Sequence, residues 1–263
     1  MLPTDSPFRR LPDFVDRADL FLIQTLVFAS DVMTVALQRL DNTAALFDVA
    51  SGDPIGRASI LSDAWTIVDQ VHVARQLLRI WFAQEPDADI KAYIDKYEVA
   101  YALRNKMDHL STNLPNLANA KNMPSPLLGS VSFFRPFADR WHDGFQQGHV
   151  DGEIVVISAG GMTPRTHVSV MYQDLTVRLP VGGIKLEAFG LAFLIERAVE
   201  DLLAILTRKA CLMPDYIAGV VMDLVENEGM TLEKATKLGH GSPTVYANAI
   251  EVSLELHETP EPS

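Results

Sequence analysis

Residues 57–82 read RASILSDAWTIVDQVHVARQLLRIWF. Ile60, Ala64, Ile67, Val71, Ala74, Leu78 and Trp81 recur at steps of three and four. That spacing lines one face of an α-helix, with Ser62, Asp69, Gln70 and Arg79 on other faces. A helix of this length with so regular an apolar stripe needs partners of the same kind. The stripe therefore predicts a helix-dominated domain. The segments on either side supply the partners.

Upstream, residues 12–40 read as one long helix. Leu20, Ile23, Val27, Ser30 and Thr34 follow helical spacing, and apolar residues continue on its other faces, so much of its circumference should be buried. Ser51-Gly52-Asp53-Pro54 marks the turn between the two. Downstream, Pro86 opens a third helix, with Asp87 and Asp89 in the first turn where the helix dipole favours acids. It is expected to reach His109 to Ser111 and to pair antiparallel with the second helix, because the connection around Pro86 is short. The proline-bearing stretch 113–126 reads as loop.

The pattern then changes. Ser130–Phe134, Glu153–Ser158, Thr166–Tyr172 and Thr176–Leu179 have strand character, and Thr166, Val168, Val170 and Tyr172 alternate with a period of two. Residues 159–164 could close a hairpin. After Gly182-Gly183 a helical pattern is expected from Lys185 to Arg208, through Leu186, Phe189, Phe193, Val199, Leu203 and Leu206. Helices at Tyr216–Glu226 and Leu232–Leu238 follow, and the proline-rich end should be disordered. The expected fold is α+β, predominantly α: a helical bundle over residues 1–210 with a small antiparallel sheet inserted at about 128–180, and a C-terminal helical appendage over 211–263. The alternating β-α rhythm of a doubly wound sheet is absent.

Composition narrows the function. The chain has 263 residues, 48% hydrophobic and 21% charged, an ordinary globular profile. A net charge of −12 argues against a broad basic nucleic-acid surface. The single Cys211 excludes an intramolecular disulfide and a cysteine-rich zinc site. The N-terminal residues do not read as a secretory leader, and the apolar run Leu20–Ala29 reads as a buried helix. A cytoplasmic location, no membrane contact, no metal and no cofactor are expected.

The functional clue lies on the third helix, Tyr101-Ala-Leu-Arg-Asn-Lys-Met-Asp-His-Leu110. At about 100° per residue, Glu98, Tyr101, Arg104, Asn105, Asp108 and His109 share an arc of roughly 140°. Val99, Leu103, Met107 and Leu110 lie on the other side. Arginine holds phosphate through two donors, and histidine moves protons near neutral pH. An RNA 2′-hydroxyl supplies its own nucleophile, so no metal is required. The bland reading is a solvated face with an Arg104–Asp108 surface pair.

Arg104-Asn105-Lys106-Met107-Asp108-His109 resembles the motif of the HEPN superfamily, an Arg followed after four to six residues by His, with a polar residue after the Arg. Ser111 stands where some toxin members carry Tyr. The resemblance implies a helical bundle that dimerises, with two motifs composing a metal-independent ribonuclease site. It also implies roles: Arg104 on the phosphate, Asn105 orienting the imidazole, His109 as acid or base. It does not cover the sheet or the segment after Lys209. The competing expectation is a non-catalytic helical dimerisation or interaction module, with a protein partner, in which His109 is incidental.

Among weaker patterns, Trp141-His142-Asp143-Gly144 and Gly148–Glu153 hold histidines and acids without metal-ligand spacing. Gly160-Gly161 and Gly182-Gly183 lack the ending of a phosphate loop and read as turns. His72, beside the apolar stripe, is expected in a hydrogen-bonded packing role rather than as a ligand.

Overall fold

The computed structural model describes residues 1–112, 129–137, 149–159, 161–162, 166–171 and 181–239. The expected loop at 113–126, the strand at 176–179, the histidine-bearing 141–148 and the C-terminal end lie outside them. The protein is α+β and predominantly α, with an antiparallel sheet between the first helices and the last long one.

A short 3₁₀ turn, Pro7–Arg9, precedes α1, Arg17–Leu46. α1 starts later than the periodicity suggests because Asp16 caps it, accepting the Ala18 N–H at 2.7 Å. Its buried face carries Leu26, Met33 and Leu40, all fully inaccessible. Asp53 caps α2, Pro54–Gln84, and Pro54 occupies the first turn, where its missing N–H costs nothing. Ile60, Ala64, Ile67, Val71, Ala74 and Leu78 are all 0% exposed, so the stripe is the core face of the bundle.

The third helix is two helices. α3 spans Ala88–Lys96 and α4 spans Glu98–Asp108, with Tyr97 at φ −100° and ψ 23° between them. Nothing in the local sequence forces this break. The Tyr97 hydroxyl donates to Asp201 at 2.6 Å, and its ring meets Phe193 at 6.1 Å, so a distant element holds the joint. Asp87 is the cap of α3 and accepts the Asp89 and Ile90 N–H groups.

The sheet contains β1 (Ser130–Pro136), β2 (His149–Ser158), β3 (Gly161–Met162), β4 (Thr166–Met171), β5 (Gly182–Ala188) and β6 (Leu191–Leu194). The order is β3-β2-β1-β5-β6, with β4 also on β2, and every pairing is antiparallel. Pairing of β1 with β5 slips between Ser132 and Phe134, which lets Phe133 and Phe134 both be buried. A Cβ on Gly152 would fall 2.4 Å from the Phe134 ring, so only glycine fits there.

Residues 185–194 correct the expected helix. They form the β5–β6 hairpin, because Ile184, Leu186 and Ala188 point inward while Lys185 and Glu187 alternate outward. Its turn places Phe189 and Gly190 at φ 55° and 76°, a geometry with no place in a right-handed helix. The helix starts only at Ile195. A second correction follows: α5 runs unbroken from Ile195 to Glu226, with Pro214 inside it, and absorbs the expected separate helix at 216–226. The last helix among the described residues, α6, is Leu232–Gly239.

α5 runs antiparallel to the α3 segment. Lys96 and Tyr97 meet Asp201 at one end, and Asp87 and Glu85 meet Arg208 and Lys209 at the other. α1 packs on α2 and α5, whereas α4 packs on α2 and β6.

Candidate functional site

The polar arc of α4 is divided between a neighbouring helix and solvent. α4 lies antiparallel to α2, so partners climb one helix as they descend the other. Glu98 pairs with Arg75, Tyr101 stacks on His72 with centroids 5.7 Å apart, and Arg104 reaches Asp69. Leu103, fully buried, anchors the opposite side. This antiparallel pairing of α2 with α3 and α4 is the one the short Pro86 connection predicts.

Arg104 donates from Nη1 to Asp69 Oδ1 at 2.9 Å, and its Nε lies 3.1 Å from Asp108 Oδ2. Its side chain is 40% exposed, with both partners at 39% or more, so the cluster is solvent-screened. Two carboxylates already occupy the guanidinium. They use Nη1 and Nε, so a phosphate approaching Nη2 meets the charge of both.

Asn105 and His109 are both exposed. His109 is the C-cap of α4, with its N–H on the Asn105 carbonyl at 3.2 Å, and helical backbone resumes at residue 110. This helix end carries the negative pole of the dipole, which disfavours an anion. The Asn105 and His109 side chains do not hydrogen-bond each other. Lys106 turns away toward the sheet and donates to the Phe189 carbonyl at 3.3 Å.

The Arg104 charge acts on the imidazole of His72, on α2. Burial lowers its pKa, and the Arg104 and Arg75 charges lower it further, so it is neutral at pH 7. Its Nδ1 is buried without a hydrogen-bond partner. His72 packs as expected, through a ring stack on Tyr101, but the hydrogen bond expected of it is absent at Nδ1.

Asp69 and Arg75 were not singled out by sequence reasoning. The signal was present in the two segments together. Along α2 the order is acid, His, Arg at 69, 72 and 75; along α4 it is acid, Tyr, Arg at 98, 101 and 104. Antiparallel docking sets each acid against the other helix's arginine. Among the described residues, no group of three His, Cys, Asp or Glu side chains is arranged to hold a metal. No family model, curated protein or solved structure matches this chain.

Proposed function

We propose that the chain is a non-catalytic helical interaction module that works as a homodimer. The observation that carries this reading is the outer face of α1. Residues 21, 25, 28, 32, 35, 39, 42 and 46 advance by alternating steps of four and three, the heptad spacing of a helix–helix seam. On that line Phe21 is 52% exposed, Phe28 65%, Val35 40% and Leu46 85%. Thr25 is exposed and Val32 half-buried beside them. α1 is long and apolar enough to cross a membrane, with a mean hydropathy of 1.9, yet half of that window is buried in the bundle. Its inner face makes the core, and its outer face offers a second seam.

A second copy fits that seam. The five apolar positions together with Thr25 expose roughly 500 Å² per chain, so two copies reach the ~1,000 Å² that a specific interface needs. A twofold contact would use the same strip on both chains. The test is light scattering at about 20 µM. The expected mass is twice 29.0 kDa, falling to 29.0 kDa for Phe28→Glu with the circular dichroism unchanged. A monomeric wild type, or a Phe28→Glu variant that remains dimeric, overturns the reading.

A second reading keeps the ribonuclease implied by the Arg104–His109 resemblance. What supports it is that Arg104 is half-exposed and His109 exposed at the same end of α4. Against it stand Asp69 and Asp108 on the guanidinium. A seam on α1 would also leave the two motif helices apart, because α4 packs on α2 and β6. Incubation of mixed RNA in excess EDTA with wild type, Arg104→Ala and His109→Ala separates the readings. Cleavage to 2′,3′-cyclic ends that both variants lose supports the nuclease. No cleavage by wild type, or equal cleavage by all three, removes it.

A further inference from the structure

Between the N-terminus of α1, the end of α2 and residues 209–216 of α5 lies a cavity of about 570 Å³, within the range of small-molecule sites. Two aromatic pairs line it. Phe8 and Trp81 meet with centroids 6.1 Å apart, and Phe14 and Tyr216 at 6.4 Å. Leu22, Ile23 and Met213 add apolar surface.

The charges in this lining are unequal. Asp16, Asp19 and Glu85 contribute three carboxylates, and Lys209 is the only base. Lys209 is already matched. Its Nζ lies 2.7 Å from Glu85 Oε1, 3.3 Å from Asp87 Oδ2 and 5.6 Å from the Trp81 ring centroid. Its side chain is 6% exposed, so it is a structural cation built into the wall. Asp19 has no ion-pair partner among the described residues. The lining is therefore net acidic, and its aromatic faces carry the negative side of the ring quadrupole.

We propose that this cavity binds an organic cation: an amine or quaternary ammonium that carries an apolar chain or ring. The ammonium sits against Asp19 and the Tyr216 and Phe14 rings. The apolar part fills the space beside Leu22, Ile23 and Met213. Lys209 on Trp81 is an internal precedent for the same chemistry, since the wall already holds one ammonium between a carboxylate and an aromatic face. An anionic ligand would need Lys209 to give up both of its acids.

The test uses the full chain and three probes of equal chain length: hexyltrimethylammonium, hexanesulfonate and hexan-1-ol, followed by calorimetry and tryptophan fluorescence. The expected result is saturable binding of the ammonium, at least about tenfold tighter than either other probe. Asp19→Asn should weaken it about threefold and Tyr216→Ala about fivefold. Tyr216 is exposed and Asp19 half-buried, and unchanged melting temperatures show that the fold is kept. Sulfonate or hexanol binding as tightly as the ammonium overturns the proposal. So does ammonium binding that neither variant changes, or no saturable ammonium binding at millimolar concentration.

Discussion

Replacing Asp87 by alanine strips α3 of its cap and α5 of an anchor. The carboxylate accepts the Asp89 and Ile90 N–H groups at 2.9 and 3.1 Å. It also takes Arg208 Nη2 on both oxygens at 2.8 Å and lies 3.3 Å from Lys209 Nζ. Loss of the cap costs about 1 kcal/mol. The Arg208 pair adds less than about 1 kcal/mol, because the guanidinium is 43% exposed and screened. Lys209 would keep only Glu85, which is itself 62% exposed, for a further cost of about 1 kcal/mol. The sum is about 2–3 kcal/mol, or a fall in Tm of roughly 5–10 °C for a chain of this size. Asp87→Asn keeps an acceptor for the cap and should lose about half as much.

Burial pushes the Asp87 pKa up. The Ile90 N–H, Arg208, Lys209 and the Asp89 N–H together outweigh that and hold it well below the usual carboxylate range. A carboxylate whose pKa is depressed in the fold contributes its full stability above the unfolded value, about 3.9, and loses it as pH falls toward the folded value. Thermal melts from pH 7 to pH 2.5 should therefore show a wide gap between wild type and Asp87→Ala at pH 7 and 5 that narrows below about pH 4. A gap that stays constant over that range, or no gap at pH 7, refutes the reasoning.

Tyr97→Phe removes the 2.6 Å bond to Asp201 at the α3–α4 joint and should cost about 1.5 kcal/mol in denaturant titrations, with the ring packing kept. His72→Phe preserves the stack on Tyr101. Because the His72 pKa is lowered in the fold, wild type loses stability as pH drops below about 6.5, so the variant's melting temperature should gain on wild type between pH 7.5 and 5.5. Gly190→Ala, at φ 76° in the β5–β6 turn, should destabilise by about 1 kcal/mol, read from the chemical denaturation midpoint.

The parts of the fold legible in the sequence are those where one periodicity stands alone. The Ile60–Leu78 stripe has no competing pattern, and neither does the alternation of Thr166, Val168 and Val170. Residues 184–194 satisfy two patterns at once. Leu186, Phe189 and Phe193 are three and four apart, while Ile184, Leu186 and Ala188 alternate. Gly183 and Gly190, both at positive φ, decide for the hairpin. The break at Tyr97 has no local signal, since its cause lies 104 residues away at Asp201. Pro214 marks where two helices were expected to meet, yet α5 continues through it.

The candidate site shows the same limit in a sharper form. A helical wheel gives the angle of Arg104 but not what occupies that angle, and solvent and a parallel-lying helix both accept a polar arc. The reversed charge order of Asp69–Arg75 and Glu98–Arg104 is the information the wheel lacks, and it exists only when two helices are compared. Once α2 is docked, three of the six arc residues become interhelical contacts, leaving Asn105, Asp108 and His109 outside. Arg104 then has two roles that compete electrostatically. It can tie α4 to α2 through Asp69, or it can hold a phosphate, and the first is the arrangement the folded chain adopts. A nuclease built on this helix would have to hold a dilute anion against two intramolecular carboxylates at high effective concentration. The proposed interaction module needs no such competition, because the Asp69 pair ties α4 to α2, the helix on which α1 packs.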